Sequence, residues 1–356
     1  MRLALLYGGR SGEHEVSCRS AASILRNLDS RRYDVVPIAI DHDGVWYLQN
    51  GLDPARIGDA LEVSTSGPRV AVLPGSGFSV EGRPLEIEVA FPILHGSFGE
   101  DGTVQGLLEM TGIAYVGSGV LASAAGMDKE TMKRLWREAG LPTAPFVTFF
   151  DDIDLGGIEA RIEAAGLSID DELFVKPARG GSSVGISKVQ GRTALEEALR
   201  TAFRYDTKAI VEQRIVGREI ECAVIGDREV ETFPPGEIVP RGSFYDYDAK
   251  YVDPDGAELV VPADLPPATL RRIREAAAEA YRTLEAEGYA RVDLFVTEEG
   301  NIFLNEINTI PGFTTISMFP RMCQGGGLTY ATLLDRLIDL GLERHRQRER
   351  LEYRYG

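Results

Sequence analysis

Cysteine is scarce in this sequence, and no two cysteines have the spacing of a zinc site. Cys18, Cys222 and Cys323 are the only ones in the 356-residue chain, and they lie far apart. This pattern argues against structural zinc and against a disulfide framework. Such cysteine usage fits a reducing compartment, so we expect a cytoplasmic protein.

An excess of positive charge is also missing. The chain has 38 Lys and Arg residues against 55 Asp and Glu residues, which gives a net charge of −17. Proteins that bind nucleic acids need a cationic surface to displace counterions, so this balance argues against that class of partner. Nucleotides remain possible ligands, because their sites need only a few convergent cations.

Long hydrophobic runs and two common nucleotide-binding motifs are absent as well. The apolar N-terminal stretch, residues 3–7, is too short for a signal peptide or a membrane span. We therefore expect a buried first strand and no membrane association. No GxxxxGK[ST] phosphate loop occurs in the chain, and the turn at residues 8–12 does not match GxGxxG. The second mismatch argues against a nicotinamide-dependent dehydrogenase.

Strand and helix patterns alternate from the N-terminus. Residues 3–7, 15–28 and 33–40 predict a strand, a helix and a strand, the alternation of a parallel α/β layer. Residues 50–88 are rich in Gly, Pro and Ser and predict an insertion with short strands. The length of the chain indicates two or three domains. We expect three regions, at residues 1–122, 123–211 and 212–356.

The most informative segment is a predicted hairpin that ends in the turn at residues 310–312. Alternation puts Arg291 and Asp293 on one face of its first strand, and Glu306 and Asn308 on one face of its second strand. The neighbouring residues are strongly apolar, so this polar face meets either solvent, as on an edge hairpin, or a site. If the two faces coincide, their oxygen atoms suit Mg²⁺, which binds through a few carboxylates and substrate phosphates.

A lysine followed by small residues forms a second candidate site. Lys176 ends a predicted strand, and the loop after it contains Ser182 and Ser183. Such a loop can place backbone N–H groups and hydroxyls over phosphates, although a flexible linker has the same composition. Lys129 is a further candidate phosphate ligand, although a single lysine of this kind is more often on a helix surface.

Three weaker patterns complete the set. Glu212 ends a strand and Glu219 follows after a turn, an arrangement that can hold adenosine but is also that of an ordinary charged hairpin. His95 lies at a strand end before a glycine, which favours a site over a buried core histidine. Residues 245–251 combine aromatic, acidic and lysine side chains in an irregular stretch, 240–266, as in an active-site lid or a decorated surface.

Taken together and in chain order, these motifs resemble the D-alanine–D-alanine ligases of the ATP-grasp superfamily. The resemblance extends over nearly the whole chain. It rests on residues 7–17, 95–102, 127–129, 175–177, 181–185, 245–251, 306–312 and 317–318. It implies an α/β (α+β) fold of three domains with an N-terminal parallel sheet. Residues 1–122 would bind substrate, and ATP would lie between a central subdomain, 123–211, and a catalytic and metal-binding domain, 212–356.

The resemblance also implies roles for individual residues. The phosphates and the adenosine of ATP would be bound by Lys129, Lys176, Ser182, Ser183, Lys250, Glu212 and Glu219. Two Mg²⁺ ions, with Mn²⁺ as a possible substitute, would be held by Asp293, Glu306 and Asn308, and Glu306 would bridge them. The D-alanine substrates would be contacted by Glu13, His95, Arg291, Gly312, Ser317 and Met318. Ser182 and Tyr251 would link Glu13 to the loop over the site.

The reaction implied by the resemblance has two steps. The carboxylate of one D-alanine attacks the γ-phosphate of ATP, and the amine of a second D-alanine then attacks the resulting acyl phosphate. Arg291 and the Gly312 N–H would stabilise the oxyanion. The dipeptide would serve peptidoglycan synthesis, and the enzyme would be a homodimer. Two alternatives remain: a ligase with D-lactate or D-serine as acceptor, and a non-catalytic nucleotide-binding protein.

Overall fold

The N-terminal strand lies at the centre of a mainly parallel sheet. The structure is a computed structural model that describes residues 1–50, 52, 56–152, 157–181, 184–240 and 257–353. The strands are β1 (Arg2–Gly8), β2 (Asp34–Ile40), β3 (Trp46–Leu48), β7 (Val89–Pro92) and β8 (Ala114–Tyr115), in the order β3-β2-β1-β7-β8. β1 pairs in parallel with β2 and with β7, as the sequence predicts.

Both faces of this sheet are covered, which explains why β1 is apolar at odd and even positions alike. Leu3 and Leu5 pack in one core with Ile24 of helix α1 (His14–Asn27). Leu6 packs in a second core with Leu108 of helix α2 (Thr103–Thr111). The predicted insertion forms a small antiparallel sheet of β4 (Val70–Leu73), β5 (Gly77–Val80) and β6 (Arg83–Leu85).

The central region is a four-stranded antiparallel sheet with helices against it. Its strands, in the order β11-β10-β12-β9, are β9 (Phe146–Phe150), β10 (Leu173–Pro177), β11 (Ser187–Val189) and β12 (Lys208–Gln213). Helices α3 (Val120–Met127) and α4 (Lys129–Glu138) precede this sheet and pack in the core of the C-terminal region. Helices α5 (Ile158–Ala164) and α6 (Arg192–Ala202) pack against the sheet itself. The Asp128 side chain accepts a hydrogen bond from the Thr131 N–H, which caps α4 and fixes where its first residue, Lys129, begins.

The C-terminal region is a larger antiparallel sheet that contains the predicted hairpin. Its strands are β13 (Arg218–Gly226), β14 (Val230–Thr232), β15 (Gly236–Pro240), β16 (Ala257–Val260), β17 (Tyr289–Val296) and β18 (Ile302–Asn308). The order is β16-β15-β13-β17-β18, and β14 pairs with β13. The helices are α7 (Pro267–Thr283), α8 (Met318–Gly325) and α9 (Tyr330–Glu349).

Several elements differ from the sequence predictions. A helix over 267–287 is predicted, but α7 ends at Thr283, because the chain leaves the helix at Leu284 and Glu285 adopts a left-handed conformation with φ of 52°. The irregular stretch 240–266 contains strand β16, and residues 241–256 within it lie outside the described part of the chain. The sequence also predicts helices at residues 128–139, 155–165 and 193–204, which correspond to α4, α5 and α6. It does not predict α2, α3, α8 and α9.

The N- and C-terminal regions share one hydrophobic core. The Phe313 ring is fully buried and packs edge-on against Phe91 of β7, with ring centroids 6.2 Å apart, and against Tyr289 of β17, at 5.6 Å. Phe319 of α8 lies on the same cluster. The turn before Phe313 is therefore held between the two regions. Within the described ranges, no helix combines the length and the apolar character needed to cross a bilayer.

Candidate active site

A cavity of about 660 Å³ opens where the three regions meet. It brings together most of the candidate residues that the described chain includes. The candidates that line it are Glu13, His95, Lys129, Arg291, Glu306, Asn308, Gly312, Ser317 and Met318. Ser182, Ser183, Lys250 and Tyr251, together with residues 245–251, lie outside the described residues.

The two polar faces of the hairpin coincide. β17 and β18 pair so that Arg291 lies opposite Asn308 and Asp293 lies opposite Glu306, with an irregularity in register just after Asp293. Arg291 donates from Nε and Nη2 to the two Asp293 oxygens, at 2.7 Å each. The Asn308 amide donates to the same carboxylate at 3.0 Å. These contacts place the guanidinium and the candidate metal ligands in one cluster.

Glu221 is a further carboxylate in this cluster that the sequence interpretation missed. It lies on β13 opposite Asp293, and its Oε2 is 3.1 Å from Arg291 Nε. Glu219, two residues earlier on β13, has its side chain on the same face of the strand. The alternation Glu219–Glu221 was visible in the sequence, and it could have identified Glu221 once β13 was placed beside β17.

The oxygen donors of the hairpin fit magnesium chemistry. Asp293 and Glu306 supply carboxylates and Asn308 supplies an amide oxygen, all hard ligands. Within the described part of the chain, no three His, Cys, Asp or Glu side chains are grouped to hold a metal ion by themselves. A cation at this face would therefore complete its shell with phosphate oxygens and water, which is the usual way that proteins bind Mg²⁺.

Lys129 is buried, with 6% of its surface exposed, so the reading of a surface helix lysine is wrong. Its Nζ donates to the Gly180 carbonyl at 2.6 Å and lies 3.7 Å from Glu306 Oε2. Lys129 thus joins the loop after β10 to the hairpin. A phosphate between that loop and Glu306 would meet this ammonium group directly.

Glu212 lies between two buried lysines. Its carboxylate forms an ion pair with Lys176 of β10 and a second one, at 3.1 Å, with Lys133 of α4. Burial alone would raise the pKa of Glu212, but Lys133 and Lys176 lower it to about 2. Burial lowers the pKa of Lys133, and Glu212 opposes that effect. The sequence interpretation missed Lys133, although it follows Lys129 by one helical turn.

Glu13 fits into a space that two glycines leave open. A Cβ atom on Gly96 or on Gly181 would lie 2.6 Å from Glu13 Oε2. These glycines come from different regions of the chain, and Glu13 itself is 9% exposed. The carboxylate is therefore enclosed from two sides and faces the cavity.

Glu100 is a second acid beside Glu13. It accepts hydrogen bonds from the Gly96 N–H at 2.7 Å and from the Ile310 N–H at 3.3 Å. Burial, followed by the charge of Glu13, raises the pKa of Glu100 to about 8. Burial beside Glu13 therefore favours the neutral acid in the folded protein.

His95 is at once a cavity residue and a buried, fully bonded histidine. Its Nδ1 lies 2.8 Å from the Ile310 carbonyl and its Nε2 lies 2.9 Å from Ser20 Oγ. Burial lowers the pKa of His95 to about 4, so the ring is neutral. His95 therefore lines the cavity, as the sequence favours, and its ring also links the N-terminal region to the C-terminal region by hydrogen bonds.

Ser317 and Met318 are at the N-terminus of helix α8. The Ser317 hydroxyl accepts from the Thr314 N–H at 3.0 Å, and a Cβ on Gly312 would lie 2.9 Å from Ser317 Oγ. Met318 begins the helix, so its backbone N–H is among the groups that attract anions at a helix start. The Ser317 hydroxyl and the Met318 N–H, on adjacent residues, could therefore both bind a carboxylate in the cavity.

Comparisons with known proteins identify the family of this chain. A family model described as "D-ala D-ala ligase N-terminus" matches residues 2–118, and one described as "D-ala D-ala ligase C-terminus" matches residues 135–339. The chain is 48% identical to D-alanine–D-alanine ligase A of Mesorhizobium japonicum, over 98% of this chain and 99% of that protein. Its identity to D-alanine–D-alanine ligase A of Escherichia coli K12 is 47%, over 97% of this chain and 96% of that protein.

Solved structures of such ligases have the same fold. The D-alanine–D-alanine ligase of Coxiella burnetii superposes with a TM-score of 0.85 at 35% identity, over 98% of this chain and 96% of that chain. The VanG D-Ala:D-Ser ligase of Enterococcus faecalis superposes with a TM-score of 0.83 at 36% identity, over 96% of this chain and 99% of that chain. The predicted fold class is confirmed, and this chain belongs to the D-alanine–D-alanine ligase family.

Proposed function

We propose that this protein joins two D-alanine molecules to D-alanyl-D-alanine at the cost of one ATP, through a D-alanyl phosphate intermediate. The observation that carries the proposal is the convergence of Arg291, Glu306 and Asn308 on a cavity that Glu13 also lines. Asp293 is bonded to Arg291 and Asn308 beside that cavity. That cavity offers groups for a phosphate, a cation, an ammonium and an oxyanion. A carboxylate–amine ligase with an acyl phosphate intermediate needs all four.

In the first step, a carboxylate oxygen of D-alanine forms a bond to the γ-phosphorus, and the bond from that phosphorus to ADP breaks. Glu13 would hold the ammonium group of this substrate. Lys129 and Lys176 would contact the phosphates, and Glu212 and Glu219 would hold the adenosine. Ordered cations of this kind stabilise the charge that is spread over the transferring group.

Asp293, Glu306 and Asn308 would hold two magnesium ions, and manganese could replace magnesium. When bound, these cations would neutralise charge on the phosphate oxygens. The proposal is supported by the oxygen-only donor set of the hairpin. The proposed roles of Ser182, Ser183, Lys250 and Tyr251 rest on the resemblance alone.

In the second step, the neutral amine of another D-alanine forms a bond to the acyl carbon, and phosphate leaves after the tetrahedral oxyanion collapses. Arg291 and the Gly312 N–H would stabilise that oxyanion. The Ser317 hydroxyl and the Met318 N–H would receive the carboxylate of the second substrate. His95 would lie beside this subsite, where it lines the cavity.

The test is phosphate release from ATP and Mg²⁺ with D-alanine, against L-alanine as control, together with detection of the dipeptide. Equal rates with the two enantiomers would contradict the proposal. A Glu306→Gln protein that releases phosphate at the normal rate with D-alanine would contradict the assigned site and favour a different centre. The matched control is Glu298→Gln, in the turn of the same hairpin.

Another acceptor is the second candidate, because the VanG structure carries the name of a D-Ala:D-Ser ligase at 36% identity. The relatives at 46% to 48% identity are named as D-alanine–D-alanine ligases, which favours D-alanine. Competition among D-alanine, D-serine and D-lactate at neutral pH decides between them. We also propose a cytoplasmic homodimer that supplies peptidoglycan synthesis, which light scattering and cell fractionation would test.

A further inference from the structure

Gly312 lies in the turn at residues 310–313, between β18 and α8. The N-terminal region holds this turn at its first residue, Ile310. The Ile310 N–H donates to Glu100 at 3.3 Å, and the Ile310 carbonyl lies 2.8 Å from His95 Nδ1. Both partners come from the loop after β7, more than two hundred residues away in sequence. Ile310 is thereby fixed through both of its backbone polar groups.

The same turn is held at its last residue. The Phe313 N–H donates to Ser20 Oγ at 3.2 Å, and the Phe313 carbonyl accepts from the Tyr330 hydroxyl. Ser20 lies on α1 and is fully buried, and Tyr330 begins α9. Gly312 thus lies between two residues whose N–H and carbonyl groups are all bonded to other elements.

The directions of these hydrogen bonds follow from chemistry. A carbonyl can only accept, so His95 Nδ1 carries the proton that bonds to Ile310. In the neutral ring, Nε2 is then an acceptor, so the Ser20 hydroxyl, 2.9 Å away, donates to it. The Ser20 oxygen keeps lone pairs that accept from the Phe313 N–H. The donor and the acceptor of every hydrogen bond are thereby fixed. The hydrogen-bond chain runs from Phe313 through Ser20 and His95 to Ile310.

We propose that Ser20 is a positioning residue for the ligation step, which with His95 sets the direction of the Gly312 N–H. This inference rests on the proposed function, in which that N–H stabilises the oxyanion. The Ser20 hydroxyl does not line the cavity. Among the described residues, it alone joins the His95 ring to the Phe313 amide. Its removal leaves two buried polar groups without a partner, and the turn can relieve that cost only by moving.

The expected effect is selective for the second step. Formation of the acyl phosphate does not use the Gly312 N–H, whereas attack by the amine does. In Ser20→Ala the amine should attack the acyl phosphate more slowly, so a larger fraction of this intermediate should be hydrolysed by water. We expect the dipeptide rate to fall by about tenfold or more, as is usual when a catalytic group is slightly misplaced. The ratio of phosphate to dipeptide should rise above one.

The experiment compares three purified full-length variants. Ser20→Ala removes the hydroxyl. Ser20→Cys leaves no cavity, because its sulfur is somewhat larger than the oxygen, and the thiol is only a weak hydrogen-bonding group. It therefore tests the same point even if the alanine variant does not fold. Ser123→Ala is the matched control, because Ser123 is also a fully buried helical serine and its hydroxyl has no hydrogen-bond partner among the described residues.

Two quantities are measured: phosphate released per dipeptide, and hydrogen–deuterium exchange of the peptide that contains Phe313. We expect both to rise in the two Ser20 variants and neither to rise in Ser123→Ala. A ratio of one in the Ser20 variants overturns the proposal, whether or not exchange increases, because Ser20 would then be only structural. A failure of the proposed function is distinguishable, since the wild type itself would then form no dipeptide.

Discussion

At the scale of single residues, the buried charges near the cavity are paired rather than isolated. Glu212 has Lys133 and Lys176 as partners, and Arg291 has Glu221 and Asp293. An unpaired buried charge costs several kcal/mol, so such groups persist only with partners or ligands. The buried cations Lys133, Lys176 and Arg291 are thus held near the cavity by acidic partners. Phosphate groups of a bound ATP could replace part of this negative charge.

Lys133→Met should weaken ATP binding. Glu212 would keep Lys176 but lose its contact with Lys133, and the orientation of its carboxylate would no longer be fixed from two sides. We expect KM for ATP to rise by about fivefold, or about 1 kcal/mol, with a smaller change in kcat. The control is Arg134→Met, at the exposed neighbouring position. Equal KM values in the two variants would refute this role for Lys133.

At the scale of elements, the register of β17 against β18 decides whether the candidate ligands meet. Side chains alternate along a strand, so a slip of one residue would turn Glu306 and Asn308 away from Asp293. The observed pairs, Arg291 with Asn308 and Asp293 with Glu306, keep the polar side chains on one face. The apolar residues between them, including Val292 and Ile307, fix that register because they fill the core under α7.

Asp293→Asn tests the hairpin as a metal-binding element. The amide retains one oxygen but loses the charge that both Mg²⁺ and Arg291 require. We expect the Mg²⁺ concentration for half-maximal phosphate release to rise by about tenfold or more. Glu299→Gln, in the exposed turn of the same hairpin, should leave it unchanged. An unchanged Mg²⁺ requirement in Asp293→Asn would place the metal elsewhere.

At the scale of the whole molecule, the N- and C-terminal regions are joined by a common core and by polar contacts at the cavity. Phe313 packs against Phe91 from the N-terminal sheet, and Glu100 bonds to Ile310 beside it. Groups at this junction therefore affect stability and the site together. The titration of Glu100 makes this coupling measurable.

Ionisation of Glu100 should lower the free energy of unfolding as the pH rises. Its folded pKa of about 8 is above the ordinary value of 4.5, so the folded protein favours the neutral acid. This contribution is fully present below about pH 4.5 and is lost as the pH rises through 8. We expect Tm of the wild type to fall relative to Glu100→Gln between pH 5 and pH 8.5, by calorimetry. Glu275→Gln, on the exposed face of α7, is the control, and a constant difference between wild type and Glu100→Gln would contradict the assignment.

The sequence by itself determined the features that depend on neighbouring residues. The short apolar run at residues 3–7 identified β1, and alternation in the hairpin put Arg291 with Asp293 and Glu306 with Asn308. The ordered motifs identified the family, because the resemblance spans most of the chain. Helix ends were less accurate, as at Thr283, since the left-handed turn at Glu285 has no strong local signal.

Only the tertiary structure decided which of these features meet. Lys129 and Lys133 could have been surface residues of a helix, and burial against Glu306 and Glu212 gives them their place. The link from Ser20 through His95 to Ile310 joins residues that are 75 and 215 positions apart in sequence. No periodicity reports such contacts, because they depend on how finished sheets and helices pack against one another. Local patterns select the elements, and packing over long distances selects the partners.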